Sequence, residues 1–394
     1  MTNIYSALEF HRLGTVVYSN ALIDKARKLF AEFPAHNIVI RPIVVEQTVL
    51  EESFAISTAE DSDLTLQDTK KIVISPEIEA RLIKYRENKN LSPKEKYDQL
   101  EFENVRSAEE RIQGITFGEL TLQTLLNLHY DLTIGLDEYC KAVGVSRYHS
   151  GELRSSNDTK VGKIRHYLPP AHTKIRHLLK LLIAEFRGRK KIHLTDILEF
   201  HILLYTIHPF SNGNKRVARV LESMLLRQYG YSADRTLSLA MYYGEKKSAT
   251  SLFLMESLQR KDPTPFVNFA IRGYFYSGRT LEHEMTKTHL KSYLDTMILL
   301  LSGFVSKDKL KSFRASSDVI LELNGIFTHG QFIERMEKKG YTLGVSQELL
   351  KYLKKEKYLS HKNNLYCAPG ASALAKHRER LLKFYLENQI ILED

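Results

Sequence analysis

At 394 residues, 43% of them hydrophobic and 26% charged, the chain is too long for one ordinary core and has the make-up of a globular protein of two or three domains. No apolar run approaches ~18 residues, and the opening MTNIYSALEFHRLG lacks the charged head and long apolar stretch of a secretory signal, so no membrane partner and a cytoplasmic location are expected. Cys140 and Cys367 fit no metal-ligand spacing and read as isolated reduced thiols, while the net charge of +10, spread along the chain in mixed runs, suits an acidic partner without identifying one.

Residues 1–113 read as an N-terminal helical region. Within it, Arg81 to Arg111 is densely charged and broken at NLSP, where Pro93 pushes Ser92 out of helical geometry, which predicts a boundary or an exposed helix pair. Residues 114–280 carry the strongest patterns. LRSSNDTKVGKIRHYLPP, ending at Pro170, has turn formers at Asn157 and Asp158, some β-formers and a Pro-Pro stop, and predicts a short hairpin. LTDILEFHILLYTI, Leu194 to Ile207, is apolar enough to be a central helix, and VARVLESMLLRQYGY repeats the pattern with Gly230 as its C-cap. After a helical linker over 281–316, three helical patterns and two short strands around Asn363 and Asn364 follow in the order of a winged helix-turn-helix over 317–370, with a last helix over 371–394. The fold class expected is mainly α.

Between the two apolar helices lies HPFSNGNKRVAR, His208 to Arg219. A loop that enters a helix at Gly213-Asn214 points unpaired N–H groups along the positive end of the helix dipole, and a glycine there lets an anion approach closely. Arg216 and Arg219, three residues apart on the new helix, offer two planar donor forks to the same anion, which suits a polyphosphate. His208, fixed by Pro209 and Phe210, is the one group of the stretch that ordinarily titrates near neutrality and so can take a proton from a hydroxyl. A base beside an anion cradle predicts transfer of a phosphate-containing group.

These residues resemble the signature of the Fic family, His-x-Phe-x-Asp/Glu-Gly-Asn-Gly-Arg-x-x-Arg, with His208, Phe210, Gly213, Asn214, Arg216 and Arg219 all in place. The resemblance runs from about Gly114 to Gly278 and implies a Fic-type helical core with a small β-hairpin flap. It implies an ATP-using transferase that moves AMP onto a Tyr, Ser or Thr hydroxyl of a protein, with His208 as base and Gly213, Asn214 and Lys215 as the anion hole. Arg216 and Arg219 would hold the outer phosphates, and the flap residues Arg154, Ser155, Lys160 and Val161 would clamp the target as an added strand. Two positions depart from the signature. Asn212 stands where the family has its acidic Mg²⁺ ligand, leaving Mg²⁺ expected but its usual carboxylate absent. Lys215 replaces the last glycine, as in Doc toxins that transfer the γ phosphate, so a phosphotransferase is an alternative; a degenerate nucleotide-binding or DNA-binding regulator is another.

EQTVLEESF, Glu46 to Phe54, resembles the inhibitory helix of the N-terminally autoinhibited subgroup, whose glutamate, here Glu52, pairs with the second motif arginine, here Arg219; Ser53 departs from the Gly/Asn of that pattern. The winged-helix-like segment carries Lys351, Lys354, Lys355, Lys357 and Lys362, yet from Asp318 to Asp394 twelve Lys and Arg stand against ten Asp and Glu, a net of +2, so DNA and a protein are both open as its partner. Apolar outer faces of a helical core would also suit a homodimer.

Overall fold

The computed structural model describes all residues except 1–2, 37–40, 60–61, 112–113, 146, 159–160, 162–166, 233–234, 304 and 392–394. It is mainly helical and divides into two compact units, the first built from residues 1–28 and 46–277 and the second from 29–45 and 278–394. Residues 46–113 therefore share one unit with the core that follows them, and the division expected at 113 is not one between units. Among the described residues no helix is long and apolar enough to cross a membrane.

Six helices of the first unit frame the motif: α1 (Arg41–Ser57, from Glu46 onward), α2 (Pro93–Arg111), α3 (Leu122–Thr133), α4 (Ile175–Arg187), α5 (Leu194–Ile207) and α6 (Asn214–Gln228). α5 is buried along its whole length, as its all-round apolar sequence dictates, and it packs against α4 and α6. Asp196 caps its start by accepting from the His193 N–H at 2.6 Å. α3 starts at Thr121, which exchanges hydrogen bonds with Thr124 in a reciprocal cap, and turns Leu125, Leu128, His129 and Leu132 inward.

The charged stretch Arg81 to Arg111 is the largest departure from expectation. α2 is buried, and Asp98, Glu101, Glu103, Asn104, Ser107 and Glu109 go in with it. A carboxylate is tolerated in an interior when paired and hydrogen-bonded, as Glu101, Glu103 and Glu109 are, whereas Asp98 accepts from the Asp63 N–H at 3.4 Å and its pKa is raised by burial. Glu103 accepts from Tyr85 and Lys84 at 2.8 Å each, Glu101 lies 2.7 Å from Arg216, and the Asn104 amide donates to the Ile134 carbonyl at 3.0 Å. Arg81, wholly buried in the preceding helix Ile78–Glu87, donates to the Glu103 carbonyl at 3.1 Å. Charge density along the sequence here marks a polar interior, not a surface.

In the second unit a long helix, α7 (Thr264–Ser302), contributes its part beyond Gly278, and α8 (Lys307–Glu322), β1 (Ile326–Thr328), α9 (His329–Lys338), α10 (Leu343–Lys355), β2 (Ser360–Lys362), β3 (Leu365–Cys367) and α11 (Ala371–Glu387) follow. The sheet is antiparallel in the order β1-β3-β2, Cys367 pairing with both Ile326 and Ser360. The β2–β3 turn uses Asn363 and Asn364 at φ 53° and 61°, the left-handed pair that a two-residue hairpin needs. Leu290, Phe313, Phe327, Phe332 and Leu350 lie in one apolar cluster. β1 was not anticipated: three residues with one buried side chain give too little alternation to read.

Candidate active site

α5 ends at His208, which adopts the left-handed conformation (φ 50°) and so turns the chain sharply into the loop that starts α6. The loop closes on itself. Asn214 donates from its amide to the Phe210 carbonyl at 2.8 Å and accepts the Phe210 N–H at 3.0 Å, a pair of hydrogen bonds that needs donor and acceptor on one short side chain. Gly213 caps α6 at φ 78°, and a Cβ there would sit 3.2 Å from Thr133 Cγ2, so both backbone and space require glycine. The result is a helix N-terminus with Lys215, half-exposed, one position in, ready to receive an anion.

Two side chains that sequence reasoning missed or misassigned hold this loop. His129 of α3 is buried, stacks on Phe210 with ring centroids 3.8 Å apart, and bridges two backbone groups: Gly151 N–H donates to its Nδ1 at 3.0 Å, leaving Nε2–H for the Asn212 carbonyl at 3.1 Å. Burial lowers its pKa to about 3, so that tautomer is fixed and neutral. A lone histidine inside an apolar helical stripe gives no sequence signal of this. Arg154, assigned in advance to target clamping, is instead buried; its guanidinium donates to the His208 carbonyl and the Ser156 carbonyl at 2.8 Å each and to that of Pro170, and its own N–H to the Pro209 carbonyl at 2.9 Å. Three carbonyls converging on one planar fork make it a staple of the loop that starts at His208. Of the expected hairpin the described residues show one antiparallel bridge, between Val161 and Tyr167; Ser155 is exposed, and Lys160 lies outside the described residues.

His208 itself is 9% exposed. Burial first, then the neighbouring charges of Arg154 and Lys215, lower its pKa to about 3, so the imidazole is neutral and able to accept a proton at physiological pH.

The motif arginines differ from expectation. Arg216 is 1% exposed, its guanidinium paired with Glu101, bonded to the Tyr148 hydroxyl and lying over the Tyr148 ring. It ties α6 to α2. Arg219 donates to the Ala55 carbonyl in α1 at 3.0 Å and sits 5.5 Å over the Tyr243 ring. The expected Glu52–Arg219 pair is replaced: Glu52, 2% exposed, accepts from Ser223 and Arg227, one and two turns further along α6. Glu109 of α2 joins from the other side, 3.5 Å from Arg227 and bonded to Ser53. A helix running over α6 meets each turn of it with a different residue, and here it is the Ala55 carbonyl that reaches Arg219. Asn212 Oδ1 accepts from the Gly213 N–H at 2.9 Å, a bond that uses one of the two lone pairs of a neutral oxygen. Among the described residues no group of three or more His, Cys, Asp or Glu gathers to hold a metal.

The sequence model of the Fic/DOC family matches residues 119–226, which take in α3 to α5, the loop from His208 and α6 as far as Leu226, but not α1 or α2. The chain carries a Fic/DOC domain. A Fic family protein from Desulfovibrio desulfuricans, 15% identical, aligns over 91% of this chain and 99% of its own with a TM-score of 0.52, a likeness of fold. Fic-1 from C. elegans (17% identical, 66% of this chain and 70% of that one, TM-score 0.47) and a Fic domain-containing signaling protein from Bacteroides thetaiotaomicron (14%, 67% and 97%, 0.45) also match, too distantly to bear on the fold. Within the Fic/DOC domain of this chain, then, the histidine, the glycine-capped cradle and the loop-closing asparagine stand together, while the first arginine is spent on the interior.

Proposed function

We propose that this protein binds ATP and transfers AMP onto a Tyr, Ser or Thr hydroxyl of a protein. The observation that carries the reading is a neutral, buried His208 on the rim of the Gly213-capped N-terminus of α6. In the step proposed, the target hydroxyl oxygen attacks the α phosphorus and the bond to the β-phosphate oxygen breaks. Pyrophosphate leaves, and the hydroxyl proton passes to His208. The N–H groups at the start of α6 and Lys215 would stabilise the charge that develops on the phosphate. Bound triphosphate, being anionic, would raise the histidine's pKa from its resting value and make it a stronger base as the substrate arrives.

Restraint by α1 fits this scheme in altered form. Glu52 would act as a clasp on Arg227 and Ser223 that keeps α1 docked, and the Ala55 carbonyl would be the group that withholds Arg219 from the phosphates. Transfer of the γ phosphate is the second reading, favoured by Lys215 and by a neutral amide at Asn212 in place of a carboxylate. We also infer a winged-helix docking module in the second unit, from its helix–strand–helix–helix–hairpin order.

The test is labelling of protein with ATP carrying the label at the α or at the γ phosphate, with His208→Ala as blank. Label from the α position alone, absent in the blank, is expected. Label from the γ position alone would replace the first reading by the second, and label that survives in His208→Ala would overturn both.

A further inference from the structure

The flap leads directly into a helix whose charge is unusual. α4 opens with Lys174 as its cap, which makes no side-chain cap bond, and its first turns carry Arg176, His177 and Lys180, all exposed, with no acidic residue among them. Cations at a helix N-terminus oppose the helix dipole, so this placement works against the helix's own stability. The one acidic side chain on α4, Glu185, lies at its far end and is paired with Arg12 and Arg189. Glu9, close enough for Lys174 to act on its carboxylate, is held by Lys261. Among the described residues Lys174, Arg176 and Lys180 have no acidic side chain at ion-pair distance.

This cationic end is tied to the catalytic loop by short links. Arg154 spans the His208 and Pro170 carbonyls, and two residues on, His172 bonds Asn157 through its backbone N–H at 2.8 Å and its ring at 3.1 Å. Between the bridge at Val161–Tyr167 and α4, Leu168 stands 67% exposed. A polypeptide lying across Leu168 and the start of α4 would thus meet an apolar contact and then a run of cations.

We propose that the first turns of α4 form a recognition surface for an acidic segment of the target protein, with Arg176 and Lys180 selecting Asp or Glu residues close to the modified hydroxyl. This rests on the transfer reading for its biological meaning but not for its test. A polypeptide is favoured over a polynucleotide because only the former brings apolar side chains to cover Leu168 while its acidic residues meet the cations.

The experiment is fluorescence anisotropy of short labelled peptides, each with one tyrosine flanked by Glu, by Gln or by Lys, and of an oligothymidylate, on the full chain without ATP at low and raised ionic strength. The variants are Arg176→Glu with Lys180→Glu, and, as a control of equal net charge, Lys351→Glu with Lys355→Glu in α10. The Glu peptide is expected to bind tightest, to weaken with salt, and to lose about tenfold in affinity on reversal at α4 but not in the control. Equal binding of Glu and Gln peptides, no binding by any peptide, an equal loss in the control, or tighter binding of the oligothymidylate would each overturn the proposal. ATP labelling measured alongside separates the two ideas: acidic-peptide binding without any transfer sinks the transfer reading alone, and transfer indifferent to flanking charge sinks this one alone.

Discussion

One guanidinium, Arg227, serves two buried carboxylates, Glu52 of α1 and Glu109 of α2, and this sets a measurable coupling. Replacing either carboxylate by its amide leaves Arg227 with the other. The lost charged hydrogen bond is worth about 1.5–3 kcal/mol, but repulsion between the carboxylates is relieved, so each of Glu52→Gln and Glu109→Gln is expected to cost about 1 kcal/mol. The double variant strips a guanidinium whose side chain is 16% exposed of both partners, and breaking a buried ion pair in this way costs about 3–5 kcal/mol. The pair should therefore be non-additive, by roughly 1–3 kcal/mol, in a cycle of urea denaturations on the wild type, both single variants and the double, run above pH 7 where Glu109 is ionised. A double variant whose loss equals the sum of the singles to within about 0.5 kcal/mol would show that the carboxylates do not share the arginine.

The same cluster has a pH signature. Burial, then the charge of Glu52, raises the Glu109 pKa from 4.5 to about 7, so the folded chain holds a proton that the unfolded chain releases. Its stabilising contribution is full below 4.5 and is lost as pH rises to about 7; urea midpoints should fall across that window in the wild type and fall less in Glu109→Gln, and equal slopes would refute the assignment. For His208, lowered to about 3, kcat/KM for transfer should be free of an acidic limb near 6.5, and a midpoint there would mean that the histidine is not buried as described. Gly213→Ala forces a side chain onto φ 78° with its Cβ 3.2 Å from Thr133 Cγ2 and should cost about 1–2 kcal/mol from the backbone alone. Adding Thr133→Ser removes the crowding but not the strain, so urea denaturation should find stability only partly restored, and full restoration would place the cost in packing.

What was legible in the sequence is what depends on residues close together in it. The all-round apolar run of α5, the left-handed turn at Asn363-Asn364 and the glycine before α6 each announce a conformation through side chains within a few positions. The histidine and its cradle belong here too, because loop and helix start are contiguous. Tertiary structure alone decided where the polar groups found partners. Glu52 and Arg227 are 175 positions apart, Ser53 and Glu109 are 56, and His129 meets Asn212 across 83. A run such as α2 looks exposed because charge is costly to bury, and only when Tyr85, Lys84, Arg216 and Arg227 converge on it does the cost fall enough for the helix to go inside. Residue type dictates that each such group needs a partner, and the meeting of distant helices dictates which one it receives.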